Sequence, residues 1–125
     1  MNYFVIKEKM PSLNEYILAC RNNAYKGAKF KSDIEEKIGW YIKCRLNKTL
    51  TKPTTKVIVR FEWHERTKRR DADNIASAKK FILDALVKQG VLENDSRKYV
   101  KGFIDEIVDD KEDFVLVELI EATNE

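Results

Sequence analysis

Apolar residues recur along this chain at two spacings, every second position and every third or fourth, and the switches between them mark its elements. Tyr3 to Lys7 (YFVIK) reads as a short strand. Pro11-Ser12-Leu13-Asn14 breaks it, a short helical stretch follows from Glu15 to Arg21, and residues 22–31 read as a polar, basic loop. Ser32 followed by Glu35 has the form of a capping box, in which each side chain satisfies a free backbone donor, so a helix should begin there. Ile34, Ile38, Tyr41 or Ile42, and Leu46 supply its buried stripe. Lys43, Arg45 and Lys48 suit the negative end of its dipole, and it should end near Asn47.

After Pro53, Lys56 to Trp63 alternates Val57, Val59 and Phe61 with Ile58, Arg60 and Glu62, the period of a half-buried strand. His64 to Arg70 (HERTKRR) is a strongly basic connection to a second helix, from about Asp73 to Gln89, with Ile75, Ala78, Ile82, Ala85 and Leu86 on its buried face. Gly90 supplies a left-handed stop. Tyr99 to Val108 and Phe114 to Glu121 read as strands joined by the acidic turn Asp109 to Asp113, which predicts an antiparallel hairpin. The order strand, helix, strand, helix, strand, strand predicts an α/β (α+β) fold: one domain with a small mixed β-sheet flanked by two main helices.

The length of 125 residues suits one such domain over the whole chain. The net charge of +3 hides an asymmetry. Residues 1–100 carry 22 Lys+Arg against 12 Asp+Glu, or +10, and residues 101–125 carry 2 against 9, or −7. The basic part is where a polyanion would be met. There is no long apolar run and no basic-then-apolar N-terminus, so a soluble, cytoplasmic protein with no membrane partner is expected. Cys20 and Cys44 lie far apart and His64 is the one histidine, which leaves no zinc site of the usual kind and predicts free thiols. The absence of GxSxG and GxxxxGK[ST] motifs removes support for serine acyl transfer and for a P-loop ATPase.

The chemistry concentrates at Arg69-Arg70-Asp71-Ala72-Asp73-Asn74, where two carboxylates and an amide meet a basic loop at a helix start. Hard cations such as Mg²⁺ take oxygen ligands, and carboxylates from one turn and one distant loop suffice to hold one. Capping is the competing use of Asp71, Asp73 or Asn74, yet a cap needs one such residue. Along the helix Asp73, Ser77, Lys80 and Asp84 form one polar stripe, which also fits a solvated face with an ordinary Lys80/Asp84 pair. Asp95, with Glu93 nearby, offers a third carboxylate from a segment of turn composition. Lys26, Lys29, Lys31, Arg66, Lys68, Arg69 and Arg70 surround these acids as a candidate DNA-binding rim. Cations that recruit a phosphate backbone around acids that hold a metal are what a metal-dependent phosphodiester nuclease needs.

The stretch Arg69 to Ser96, RRDADNIASAKKFILDALVKQGVLENDS, resembles the RusA family of Holliday junction endonucleases in its Asp-x-Asp-Asn, helical lysine, Asp-Ala-Leu, Gly and later acidic pair. PSLNEYI followed by basic residues is similar to the family's opening. The resemblance implies a small homodimeric nuclease, commonly prophage-encoded, that acts in DNA recombination and repair. Its activity would be Mg²⁺-dependent, with Mn²⁺ as a substitute, and would make paired nicks in four-way junctions that leave 5′-phosphate and 3′-hydroxyl ends. By the same resemblance the catalytic, metal-binding carboxylates fall on Asp71, Asp73 and Asp95, and the catalytic lysine on Lys80, counted back from Asp84-Ala85-Leu86. The family's second acidic pair is here Asn94-Asp95. Where some members carry lysine three residues after the Asn, this chain has Ser77, which keeps Lys79 as an alternative. Trp40 and Trp63 are candidates for a dimer surface, although each also suits core packing. A non-catalytic DNA-binding protein, or a metal-dependent nuclease acting on other branched or single-stranded DNA, would use the same residues.

Overall fold

The computed structural model describes residues 1–122. Its elements are β1 (Tyr3–Ile6), α1 (Leu13–Asn22), α2 (Ala24–Lys43), β2 (Val57–Glu65), α3 (Ala72–Ala76), α4 (Lys79–Lys88), β3 (Val100–Asp109) and β4 (Phe114–Glu121). The first helix is launched by Ser12, whose Oγ accepts from the Glu15 N–H at 3.2 Å while the Glu15 carboxylate faces the Ser12 N–H. Asn23 then ends α1 in extended backbone and caps α2, its Oδ1 accepting from the Lys26 N–H at 2.7 Å. The segment 22–31, expected as a loop, is therefore mostly helix. α1 and α2 approach closely at Gly27, where a Cβ would sit 2.8 Å from Cys20 Sγ. Ser32 and Glu35 lie inside α2 and cap nothing. α2 stops at Lys43, and Asn47, in the left-handed region, belongs to the following turn.

The sheet order is β1-β4-β2-β3, with β4 antiparallel to both β1 and β2 and β3 parallel to β2. The expected β3–β4 hairpin does not form. Residues 110–113 instead step across the end of β2, where the Asp110 N–H donates to the Glu65 carbonyl at 3.0 Å and Asp113 Oδ1 accepts from the Arg66 N–H at 2.8 Å. Burial explains the order. Val115, Val117 and Leu119 demand an interior strand, whereas Lys101, Asp105, Glu106 and Asp109 suit an edge, where charge deters further pairing.

Val57, Val59, Phe61 and Trp63 of β2 join Phe4, Ile6, Val117, Ile38, Ile42, Ile82 and Leu86 in one core. Trp63 is thus a core residue, donating from Nε1 to Asp105 at 2.9 Å, whereas Trp40 is exposed on α2. Cys20 and Cys44 are free and exposed. Among the described residues, no helix is long and apolar enough to cross a membrane.

The alternate β2 residues carry a charge network. Arg60 donates to Glu118 at 2.9 Å, Glu62 at 2.8 Å and Glu106 at 3.2 Å, and the ring of His64 lies between Glu62 (2.7 Å) and Asp110 (2.8 Å). Arg60 first and His64 second hold the Glu62 carboxyl below its ordinary range, and His64 does the same for Asp110. A carboxylate with a depressed folded-state pKa stabilises the fold above its unfolded pKa, near 4, and the contribution fades as pH falls through the folded value. The thermal stability lost in Glu62→Gln should accordingly be largest near pH 7 and shrink toward pH 3. An equal Tm difference at both pH values would show that this network contributes nothing through charge.

Candidate active site

The basic connection leaves β2 at Glu65, and its first structural event is a buried ion pair. Arg70 donates from Nε and Nη2 to the two Glu65 oxygens at 3.0 and 2.9 Å and from Nη1 to the Met10 carbonyl at 2.9 Å. Both side chains are nearly buried, at 12% and 6% exposure. With its fork spent in this bidentate pair, Arg70 is not a surface cation, and the sequence assignment of Arg70 to the DNA rim is corrected accordingly. Its role is to clamp the base of the loop to β2 and to the segment before α1, which fixes where the next residue points.

That residue is Asp71. It occupies the N-cap position of α3, yet its side chain makes no capping bond and is exposed. Asp73, also exposed, accepts from the Asn74 N–H at 3.0 Å. The helix expected over 73–89 is broken at Ser77-Ala78, where Ser77 Oγ donates to the Asn74 carbonyl at 2.7 Å and the Ala78 N–H bonds to Ile75 at 3.4 Å, tightening one turn. The polar stripe is therefore not one continuous helical face from Asp73 to Asp84. α4 ends as expected: Gly90 takes φ 78°, and the N–H groups of Val91 and Gly90 return to Leu86 and Val87, both at 3.0 Å.

Adjacent lysines on α4 take different paths. Lys79 donates to Asp105 of β3 at 2.6 Å and lies over the rings of Phe103 (4.7 Å) and Phe61 (5.6 Å), so it fastens the edge strand to the helix layer. Lys80, 62% exposed along its side chain, donates to Asp95 at 2.6 Å and pairs with Asp84 at 3.1 Å. Asp95 chiefly, and Asp84 next, raise the Lys80 pKa, while Lys80 pulls the Asp95 carboxyl below its usual range. The turn presenting Asp95 is braced by Asn94 Oδ1, which accepts from the Ser96 N–H at 2.6 Å. Glu93 is drawn elsewhere, to Lys52 at 2.8 Å. Lys80, Asp84 and Asp95 thus form one cluster.

Asp71 and Asp73 are not gathered with Asp95 into a trio; among the described residues, no group of three or more acids, histidines or cysteines is placed to hold a metal ion. The donors nevertheless fit a hard divalent cation in kind: carboxylate oxygens on an exposed turn, with no cation paired to Asp71 or Asp73 among the described residues. Of the remaining basic rim, Lys26 is exposed, Lys29 pairs with Asp33 at 3.2 Å, and Lys68 lies 3.6 Å from Asp109. Lys31 is turned toward Asp84 at 3.2 Å. The exposed side chains of Arg66 and Arg69 make no ion pair among the described residues. Sequence reasoning missed the partners of Lys31 and Arg70, because a charged residue reads the same whether it faces solvent or a carboxylate.

A search of curated proteins found no match to the chain. The profile of the family described as Endodeoxyribonuclease RusA matches residues 2–119, nearly the full 125. That span takes in the Ser12-capped opening, the whole sheet but for the last residues of β4, the Asp71–Asp73 turn and the Lys80–Asp95 cluster. By this match, the chain belongs to the RusA family of endodeoxyribonucleases.

Proposed function

We propose that the protein is a Mg²⁺-dependent, structure-specific endodeoxyribonuclease, with Mn²⁺ as a substitute, that resolves four-way DNA junctions by paired symmetric nicks in recombination and repair. The observation that carries this reading is the Lys80–Asp95 contact, in a chain of this family whose Asp71 and Asp73 carboxylates stand exposed nearby in sequence. Asp71, Asp73 and Asp95 would hold the divalent ion, which when bound lowers the pKa of a water and offsets phosphate charge. Lys80, at its place beside Asp95, binds a non-bridging oxygen of the scissile phosphate and steadies the charge that grows there during in-line attack. Arg66 and Arg69, with Lys26, Lys29 and Lys68, hold the backbone without reading bases.

A four-way junction has near two-fold symmetry and needs two opposed cuts, so a homodimer with two identical sites matches the substrate. Cleavage of a synthetic mobile junction, against linear duplex, flap and single-stranded DNA, with Mg²⁺ or EDTA, tests the reading. Metal-dependent paired nicking of the junction alone is expected. Preference for flaps or single strands would make the protein a different nuclease, and tight binding with no metal-dependent cutting would make it a DNA-binding protein.

Junction binding should also weaken steeply with salt. Contacts to about 6–10 phosphates would cost roughly 10³–10⁵ in affinity between 50 and 200 mM salt. Arg66→Ala with Arg69→Ala should flatten the log–log slope by about two. An unchanged slope would mean that this loop faces away from the DNA.

A further inference from the structure

The cluster around Lys80 continues beyond the residues assigned to catalysis, and its continuation crosses from α4 to α2. Asp84, with a side chain only 19% exposed, contacts Lys80 at 3.1 Å through one oxygen and Lys31 of α2 at 3.2 Å through the other. Lys31 also lies 3.8 Å from Glu35 Oε2. Glu35 is buried, its Oε1 in an ion pair with Lys88 at 2.5 Å and its Oε2 without a hydrogen bond among the described residues. Lys31, Glu35, Asp84, Lys88 and Asp95 border a cavity of about 430 Å³ between α2, α4 and the Asp95 turn. Charges therefore alternate in space from Glu35 through Lys31, Asp84 and Lys80 to Asp95.

A helical Lys–Asp pair four apart has the less favourable order, with the base toward the N-terminus, and an exposed lysine has much rotamer freedom to lose. Neither fact favours a fixed Lys80. What fixes it is that Asp84 is itself held from a second helix. We propose that Asp84 is a positioning residue: anchored by Lys31, it holds the Lys80 ammonium beside Asp95, where the phosphate is to be met. This rests on the nuclease reading for its consequence in catalysis, but the hold on Lys80 exists without DNA.

Two measurements test it. In the DNA-free protein, the side-chain ammonium signal of Lys80 in ¹H–¹⁵N spectra, identified by its loss in Lys80→Ala, should be sharp. It should vanish in Asp84→Asn, weaken in Lys31→Met and persist in Asp84→Glu. In single-turnover cleavage of a synthetic four-way junction, Asp84→Asn should lose roughly 10²-fold in rate, the scale of a misplaced group, with junction Kd unchanged or tighter because a negative charge has gone. Asp84→Glu should recover most of the rate, and adding Asp84→Asn to Lys80→Ala should cost nothing more. An unaltered Lys80 signal in Asp84→Asn, or losses that multiply in the double variant, would overturn the proposal. If the wild-type protein cuts no DNA, the nuclease reading fails and the ammonium spectra alone decide whether Asp84 holds Lys80.

Discussion

Asp71→Asn and Asp73→Asn are each expected to abolish junction cleavage while leaving the junction bound as tightly as before or more so. Even the outer-shell partners of a metal site are worth about 10–100-fold, so the loss of a ligand should cost more than roughly 10² in rate. Binding should survive because each substitution removes a negative charge from a surface that meets phosphates. The fold should survive too: the Asp71 side chain is exposed and forms no capping bond, and Asn is as good an N-cap as Asp. Nicking at the wild-type rate by either variant would remove that carboxylate from the metal site.

The second large effect separates two neighbours. Lys80→Ala should lose on the order of 10²–10³ in single-turnover rate, the usual worth of one preorganised donor to a transition-state oxyanion, with junction affinity nearly kept. Lys79→Ala should cut at nearly the wild-type rate but unfold at lower temperature. Its ammonium bridges Asp105 and two aromatic faces in a partly buried setting, an arrangement worth about 1 kcal/mol. The discriminating result is therefore crossed, with rate lost in one variant and stability in the other. A rate defect confined to Lys79→Ala would place the catalytic lysine one position earlier and undo the correspondence through Asp84.

The choice of Lys80 over Lys79 comes from the family resemblance, counted back from Asp84-Ala85-Leu86, and is what the two variants test; β1, β2 and the Gly90 stop were legible in the sequence. Other elements were not, for identifiable reasons. Ser12-x-x-Glu15 and Ser32-x-x-Glu35 are the same motif, and only the first caps a helix, because an extended chain precedes it. Residues 22–31 read as polar loop because Gly27 and Phe30 find their partners, Cys20 on the one hand and Tyr16 and Phe81 on the other, only once α1 and α4 pack on α2. The hairpin expectation failed since adjacency along the chain says nothing about which strand needs an interior place. In the site, the carboxylates and Lys80 could be proposed from residue type and spacing. That Arg70 is sequestered by Glu65, and that Lys31 is turned toward Asp84, are pairings across elements that no local pattern encodes.

The placement of β4 between β1 and β2 has a consequence for how the chain is made. β1 precedes the other three strands along the chain, yet among the described residues it pairs with β4 alone, with Tyr3 opposite Glu118. β2 likewise waits for β4 along most of its length, from Val57 opposite Glu121 to His64 opposite Phe114. Pairings of such long sequence separation close late and slowly, because the entropy of loop closure comes before the contacts that offset it. During synthesis, then, the helices and the parallel β2–β3 pair can form early. The flank that β4 will fill stays open until the last strand emerges, and a chain cut short before Phe114 cannot close the sheet.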